Sequence, residues 1–128
     1  MIIFYNFNFI GDIFLNNMNS GKFIWIAQRS TAVILIPLII WLIFSLIRIN
    51  NFSYYEFLFF FKSKINSFFF FITITTMIYH SKLGIQIIIE DYIHHQSIKR
   101  KMINIINFLS FFLILVSIIS ILIIQIYS

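Results

Sequence analysis

Three long runs of apolar residues, separated by short polar and charged stretches, follow one another along the 128-residue chain. They cover residues 30–47, 65–89 and 102–127. At ~1.5 Å per residue, runs of this length come close to or exceed a hydrocarbon layer of ~30 Å. None alternates strictly between apolar and polar positions, as the strands of a membrane barrel would. The pattern predicts an all-α membrane protein with three transmembrane helices.

The polar stretches add a fourth, shorter element. Ser53 is followed three residues later by Glu56, which is a capping-box pattern, and the aromatic segment FLFFF comes next. We predict a short interfacial helix there, with its aromatic rings at headgroup depth. Pro37 lies inside the first run and predicts a mild kink. Residues 1–22 are interpreted as an N-terminal arm and residues 23–128 as the membrane anchor domain.

Composition narrows the class of protein. Hydrophobic residues make up 61% of the chain and charged residues only 10%, which is too few to cover a soluble domain. Cysteine is absent, so no disulfide, iron–sulfur or thiolate metal site is expected. In a lipid-embedded chain, the formal net charge of +5 indicates membrane topology. Nucleic-acid binding would require a basic patch on a water-facing surface, and the sequence does not indicate one.

The basic residues indicate an orientation. The N-terminus and the loop between the second and third spans share one side, with five Lys and Arg residues, and the other loop has three. The five are Lys22, Arg29, Lys99, Arg100 and Lys101, and the three are Arg48, Lys62 and Lys64. The positive-inside rule therefore predicts the N-terminus on the cytoplasm or matrix side and the C-terminus opposite.

One face of the second run carries the residues of greatest functional interest. At about 100° per residue, Thr76, His80, Gly84 and Asp91 share that face, with Asp91 roughly 16 Å from His80 along the axis. A neutral imidazole inside a bundle is a natural axial ligand for haem iron, and Gly84 would leave a flat patch for a macrocycle. The alternative is a histidine that hydrogen-bonds between helices, with Gly84 serving close packing.

Further polar residues lie near the same end of the second span. The Tyr92 phenol could donate a hydrogen bond to a quinone carbonyl with Asp91 supporting it, or the pair could be an interfacial anchor. Arg29 could pair with a haem propionate or with Asp91, or act only as a topology charge. Lys82 faces away from His80, and we favour snorkelling toward the inside interface over a contact with a partner's carboxylate or a haem propionate. His94 and His95 are interpreted as solvated loop residues.

Two segments resemble a known family at these positions. Trp25 and residues 28–32 (QRSTA) resemble the start of the first membrane helix in the small hydrophobic membrane anchor, of cytochrome b556 type, of succinate dehydrogenase (respiratory complex II). Residues 80–94 (HSKLGIQIIIEDYIH) resemble that family's second helix, in which His, Gly and Asp-Tyr follow at this spacing. The resemblance covers the chain from Trp25 to its end.

The resemblance implies roles for the matching residues. His80 would be an axial ligand of haem b, and the larger cytochrome b anchor subunit would supply the second ligand. Tyr92 would hydrogen-bond ubiquinone with Asp91 in support, and Arg29 would lie near the haem propionates or the quinone. The chain would be a non-catalytic subunit of the complex in a mitochondrial or bacterial inner membrane. The flavoprotein and iron–sulfur subunits would deliver electrons from succinate.

Other functions stay open at this point. A quinol:fumarate reductase anchor would carry the same residues, because the direction of electron flow is not encoded in them. A structural or assembly subunit of a respiratory complex would use His80 for packing only. A proton-pathway or transport subunit would use His80 and Asp91.

Overall fold

The computed structural model describes residues 20–49 and 53–127, so most of the predicted N-terminal arm lies outside the described residues. The described chain forms α1 (Ser20–Ile47), α2 (Tyr54–Lys62), α3 (Lys64–Tyr92) and α4 (Gln96–Tyr127). Helices α1, α3 and α4 are long and apolar enough to cross a membrane. The prediction of three spans with a short helix after the first is confirmed.

The three long helices extend beyond the apolar runs that predicted them. Helix α1 begins ten residues before the first run and α4 begins six residues before the third. With 28 and 32 residues, they are about 42 and 48 Å long. Backbone hydrogen bonding continues past the ends of the apolar runs, so basic residues such as Lys22 and Lys99 are helical too. Pro37 lies inside α1 without ending it.

Helix α2 begins as the capping pattern predicted. Ser53 has an extended backbone, and its hydroxyl accepts a hydrogen bond from the Glu56 N–H at 3.3 Å. Glu56 in the first turn and Lys62 in the last turn complement the helix dipole. The rings of Tyr54, Tyr55 and Phe59 are exposed, as expected for a helix on the membrane surface.

A single residue separates α2 from α3, and polar side chains satisfy the carbonyls at that break. The Asn66 amide donates to the Phe60 carbonyl at 3.3 Å, and the Ser67 hydroxyl donates to the Phe61 carbonyl at 2.6 Å. The Gln125 amide, from the far end of α4, donates to the same Phe61 carbonyl and to Ser67 Oγ. We call Asn66, Ser67 and Gln125 the junction cluster. It supplies partners for helix-end carbonyls that lipid could not satisfy.

Helix α3 is the central element. It packs against both α1 and α4, whereas α1 and α4 do not touch one another within the described residues. Helices α1 and α3 are antiparallel with a constant register over roughly 20 Å. Three contacts mark that register: Thr31 with His80, Gln28 with Gly84, and Trp41 with Phe69. In each of these pairs the two residue numbers add up to between 110 and 112, as expected for antiparallel helices in a constant register.

The protein core is small for a chain of this length. Eight side chains are buried in the described residues: Ile24, Thr31, Leu35, Ile49, Ser67, Thr73, Leu83 and Ile89. No residue of α4 is among them. Five of the eight are Ile or Leu, and three are Thr or Ser. Lipid tails are as apolar as leucine, so the large exposed side chains of a span cost nothing.

Candidate functional site

His80 lies near the middle of α3 and faces α1. Its Nδ1 is 2.9 Å from Thr31 Oγ1, a contact between residues 49 positions apart in the chain. No other hydrogen bond of His80 is found in the described residues, so Nε2 carries none. The predicted alternative of a hydrogen bond between helices is therefore present. It uses only one of the two ring nitrogens and leaves the second for another partner.

Gly84, one turn beyond His80, is a point of close helix approach. A Cβ built there would lie 3.3 Å from the Gln28 side-chain nitrogen. The Gln28 side-chain oxygen is buried without a hydrogen-bond partner. This close approach agrees with the packing interpretation of Gly84, and in the described structure the end of the Gln28 side chain lies beside the glycine. We call Gln28, Thr31, His80 and Gly84 the His80 cluster.

The α1 side of this cluster follows from helical spacing. Ile24, Gln28, Thr31 and Leu35 recur at intervals of four, three and four, which places them on one face of α1. Three of the four are buried. From the sequence, Gln28 and Thr31 had no role beyond the family resemblance. The same 100° projection that revealed the polar face of the second span would have identified this stripe on the first.

Asp91 and Tyr92 form the last residues of α3. Both are exposed, Tyr92 to 81%, and neither side chain makes a hydrogen bond within the described residues. The Lys99 ammonium donates to the Glu90 carbonyl at 3.2 Å, which joins the start of α4 to the end of α3. The structure thus presents the carboxylate and the phenol together, roughly 16 Å along the helix from His80.

Arg29 lies apart from both the His80 cluster and the Asp91 carboxylate. It lies one residue beyond Gln28, on a different face of α1, and its guanidinium stacks 5.0 Å from the centre of the Trp25 ring. Among the described residues it makes no ion pair or hydrogen bond with Asp91. The exposed guanidinium is therefore open to an anionic partner from outside the chain.

The remaining polar residues have separate surroundings. Lys82 lies on the α4 side of α3, with its ammonium 5.9 Å from the centre of the Tyr79 ring, beside an apolar cavity of about 330 Å³. His95 lies in the exposed loop, and its Nδ1 is 2.9 Å from the Ser97 hydroxyl in the first turn of α4. Its exposure agrees with the interpretation of a solvated loop histidine. The described residues contain no group of three or more His, Cys, Asp and Glu side chains that could hold a metal ion.

Fold and site together define a small three-span membrane protein whose central helix carries one histidine at mid-length and an Asp-Tyr pair at its end. Residues 12–121 match the model of the family described as succinate dehydrogenase/fumarate reductase transmembrane subunit. The match covers most of the chain, and the chain belongs to this family. It begins inside the predicted arm, upstream of Trp25, where the resemblance was expected to start.

Individual relatives agree with the family match. The chain is similar to the succinate dehydrogenase hydrophobic membrane anchor subunit of Rickettsia prowazekii, with 36% identity over 87 residues, which are 68% of this chain and 70% of that protein. It is 33% identical over 91 residues to the protein of the same name from Rickettsia typhi, covering 71% and 73%. It is also 36% identical over 78 residues to the succinate dehydrogenase membrane anchor subunit of Reclinomonas americana, covering 59% and 65%.

Proposed function

We propose that this chain is a membrane-anchor subunit of succinate:ubiquinone oxidoreductase and has no succinate chemistry of its own. The names of its relatives and its membership of the family support this role. In the proposed complex it anchors the flavoprotein and iron–sulfur subunits to an inner membrane. Together with the larger cytochrome b anchor subunit, it forms the path by which electrons reach the quinone pool.

The single observation that carries the site assignment is the state of His80. Its ring is held at mid-span through Nδ1, and Nε2 makes no hydrogen bond in the described residues. An imidazole fixed through one nitrogen fits axial ligation of haem b through the other. Haem b, when bound, supplies one-electron transfer inside the membrane. Because the second ligand would come from the larger anchor subunit, this chain needs no histidine cluster of its own.

Two further residues are proposed to contact the cofactor and the quinone. The exposed Arg29 guanidinium would pair with a haem propionate, since planar bidentate pairing suits carboxylates. The Tyr92 phenol would donate a hydrogen bond to a ubiquinone carbonyl, and Asp91 beside it would orient the phenol or accept its proton. Both side chains at the end of α3 are exposed and without partners in the described residues, as this role requires.

The proposed orientation puts the N-terminus on the matrix or cytoplasm side. The basic residues at the start of α1 and α4 support it, because Lys and Arg collect on that side of a membrane. Since α3 ends and α4 begins on the same side, Asp91 and Tyr92 would lie there too. That is the side on which the soluble subunits would deliver electrons.

The test is haem absorbance in the purified complex carrying His80→Ala. We expect the subunits to co-purify while the b-type haem signal is lost, because one axial ligand is gone. His94→Ala is the matched control, since it removes an exposed loop histidine and should leave the spectrum unchanged. A wild-type haem spectrum in His80→Ala would overturn the assignment.

A purely structural role is the second candidate, and the hydrogen bond between His80 and Thr31 is the observation that favours it. Under that hypothesis His80→Ala weakens assembly of the helices and changes no haem signal. The same experiment therefore separates the two. A fumarate reductase anchor would give the same haem result, and only the preferred direction of turnover of the assembled complex distinguishes it.

A further inference from the structure

Thr31 is the residue that holds the His80 ring in place. We propose that Thr31 is a positioning residue that keeps the proton of His80 on Nδ1, so that Nε2 presents a lone pair to haem iron. This inference rests on the proposed role of His80 as a haem ligand. It adds a residue on a second helix that sets the state and the orientation of that ligand.

The direction of the hydrogen bond follows from counting protons. The Thr31 hydroxyl has a single proton, and it lies 2.9 Å from the Ala27 carbonyl and 3.0 Å from the Gln28 carbonyl. Carbonyl oxygens can only accept, so the hydroxyl donates to its own helix. Its oxygen is then free to accept from His80 Nδ1–H at 2.9 Å. The reverse arrangement would leave Thr31 Oγ1 facing two carbonyl oxygens without a proton between them.

The setting keeps this arrangement in place. Thr31 is only 8% exposed, so neither water nor lipid reaches its hydroxyl readily. The Thr31 side chain is β-branched and tied to the α1 backbone, which leaves it little rotational freedom. The contact joins α1 to α3, so the orientation of the imidazole on α3 is set by a different helix. The helix that carries the ligand and the helix that fixes it are coupled through one hydrogen bond.

The bond has a consequence for haem chemistry that a packing contact would lack. A histidine that donates its Nδ1–H to an oxygen becomes a more basic ligand through Nε2. A more basic axial ligand stabilises ferric over ferrous iron. Loss of the Thr31 hydroxyl should therefore shift the reduction potential of the haem upward, and it should change the low-spin ferric resonance spectrum.

The experiment compares four forms of the purified complex: wild type, Thr31→Val, Thr31→Ser and Thr73→Val. Valine keeps the shape of threonine but cannot accept a hydrogen bond from the His80 ring, whereas serine keeps the hydroxyl. Thr73 is the matched control because it is fully buried and its hydroxyl donates to a carbonyl of its own helix, that of Phe69, but contacts no histidine. Haem content, midpoint potential and the ferric resonance spectrum are measured for each form.

We expect a more positive potential and an altered ferric spectrum in Thr31→Val, with Thr31→Ser and Thr73→Val at wild-type values. A haem-containing Thr31→Val complex with wild-type potential and spectrum would overturn the inference while leaving His80 as the ligand. Equal shifts in Thr31→Val and Thr73→Val would also overturn it, because buried packing alone would then explain them. If Thr31→Val does not assemble, Thr31→Ala replaces it under the same criteria. A His80→Ala complex that retains its haem would reject the proposed function itself.

Discussion

The polar side chains at the beginning and at the middle of α3 differ in how many of their hydrogen-bonding groups are used. In the junction cluster at its beginning, the Ser67 and Gln125 donors reach a backbone carbonyl exposed by a helix end. In the His80 cluster at its middle, the imidazole uses one nitrogen and keeps the other unengaged within the described residues. This difference is why we propose a ligand site at His80 and a structural role for the junction cluster.

The largest effect outside His80, the proposed haem ligand, is expected for Tyr92 at the C-terminal end of α3. Tyr92→Phe should lower quinone reductase activity about tenfold, the equivalent of one lost hydrogen bond of roughly 1.4 kcal/mol. Succinate oxidation by an artificial dye should stay at the wild-type rate, because the soluble subunits are untouched. Tyr127→Phe, an exposed tyrosine at the end of α4, is the matched control. Equal quinone reductase rates in all three proteins would disprove the assignment.

An intermediate effect is expected at the junction cluster, on stability and not on chemistry. Ser67→Ala removes a buried donor from the Phe61 carbonyl and a partner from Gln125, and should destabilise the complex by about 1 kcal/mol. Thermal unfolding in detergent measures the loss, and haem potential should not move. Ser120→Ala is the control, since that exposed hydroxyl bonds only its own helix. A changed haem potential in Ser67→Ala would contradict the purely structural role of the junction cluster.

The smallest effect is expected for Gly84→Ala. The added methyl group would meet the end of the flexible Gln28 side chain at 3.3 Å, which can shift by a few tenths of an ångström. The better helix propensity of alanine offsets that cost, so stability should change by less than ~0.5 kcal/mol, and haem content should be retained. Haem content and thermal unfolding of the complex are the measurements. Loss of haem in this variant would mean that the macrocycle, and not Gln28, lies against the glycine.

Local patterns predicted the helices and the stripe on α3 because each depends on residues within one turn or one span. Ser53 and Glu56 are three apart, and His80 and Asp91 share a helix of fixed geometry. The limits of the spans were less accurate, because apolarity ends at the lipid boundary while helical hydrogen bonding continues. That is why α1 begins at Ser20, ten residues before the predicted span.

Contacts between helices could not be predicted from such local sequence patterns. The pairing of Thr31 with His80 depends on how far α1 is slid along α3, and neither helix encodes that distance in its own period. The link from Gln125 to Ser67 spans 58 positions and depends on where α4 ends relative to the break after α2. Both contacts follow only from the register of the antiparallel helices.

The bond from the Lys99 ammonium to the Glu90 carbonyl closes the three-residue turn after Tyr92. The phenol and the adjacent carboxylate therefore stand on the end of a helix that is braced by its neighbour, not on a loose segment. Binding of a molecule to a rigid helix end costs less conformational entropy than binding to a flexible loop, because less of the protein has to be ordered. If a quinone binds at this edge of the bundle as proposed, its affinity would be set partly by a lysine that need never touch it.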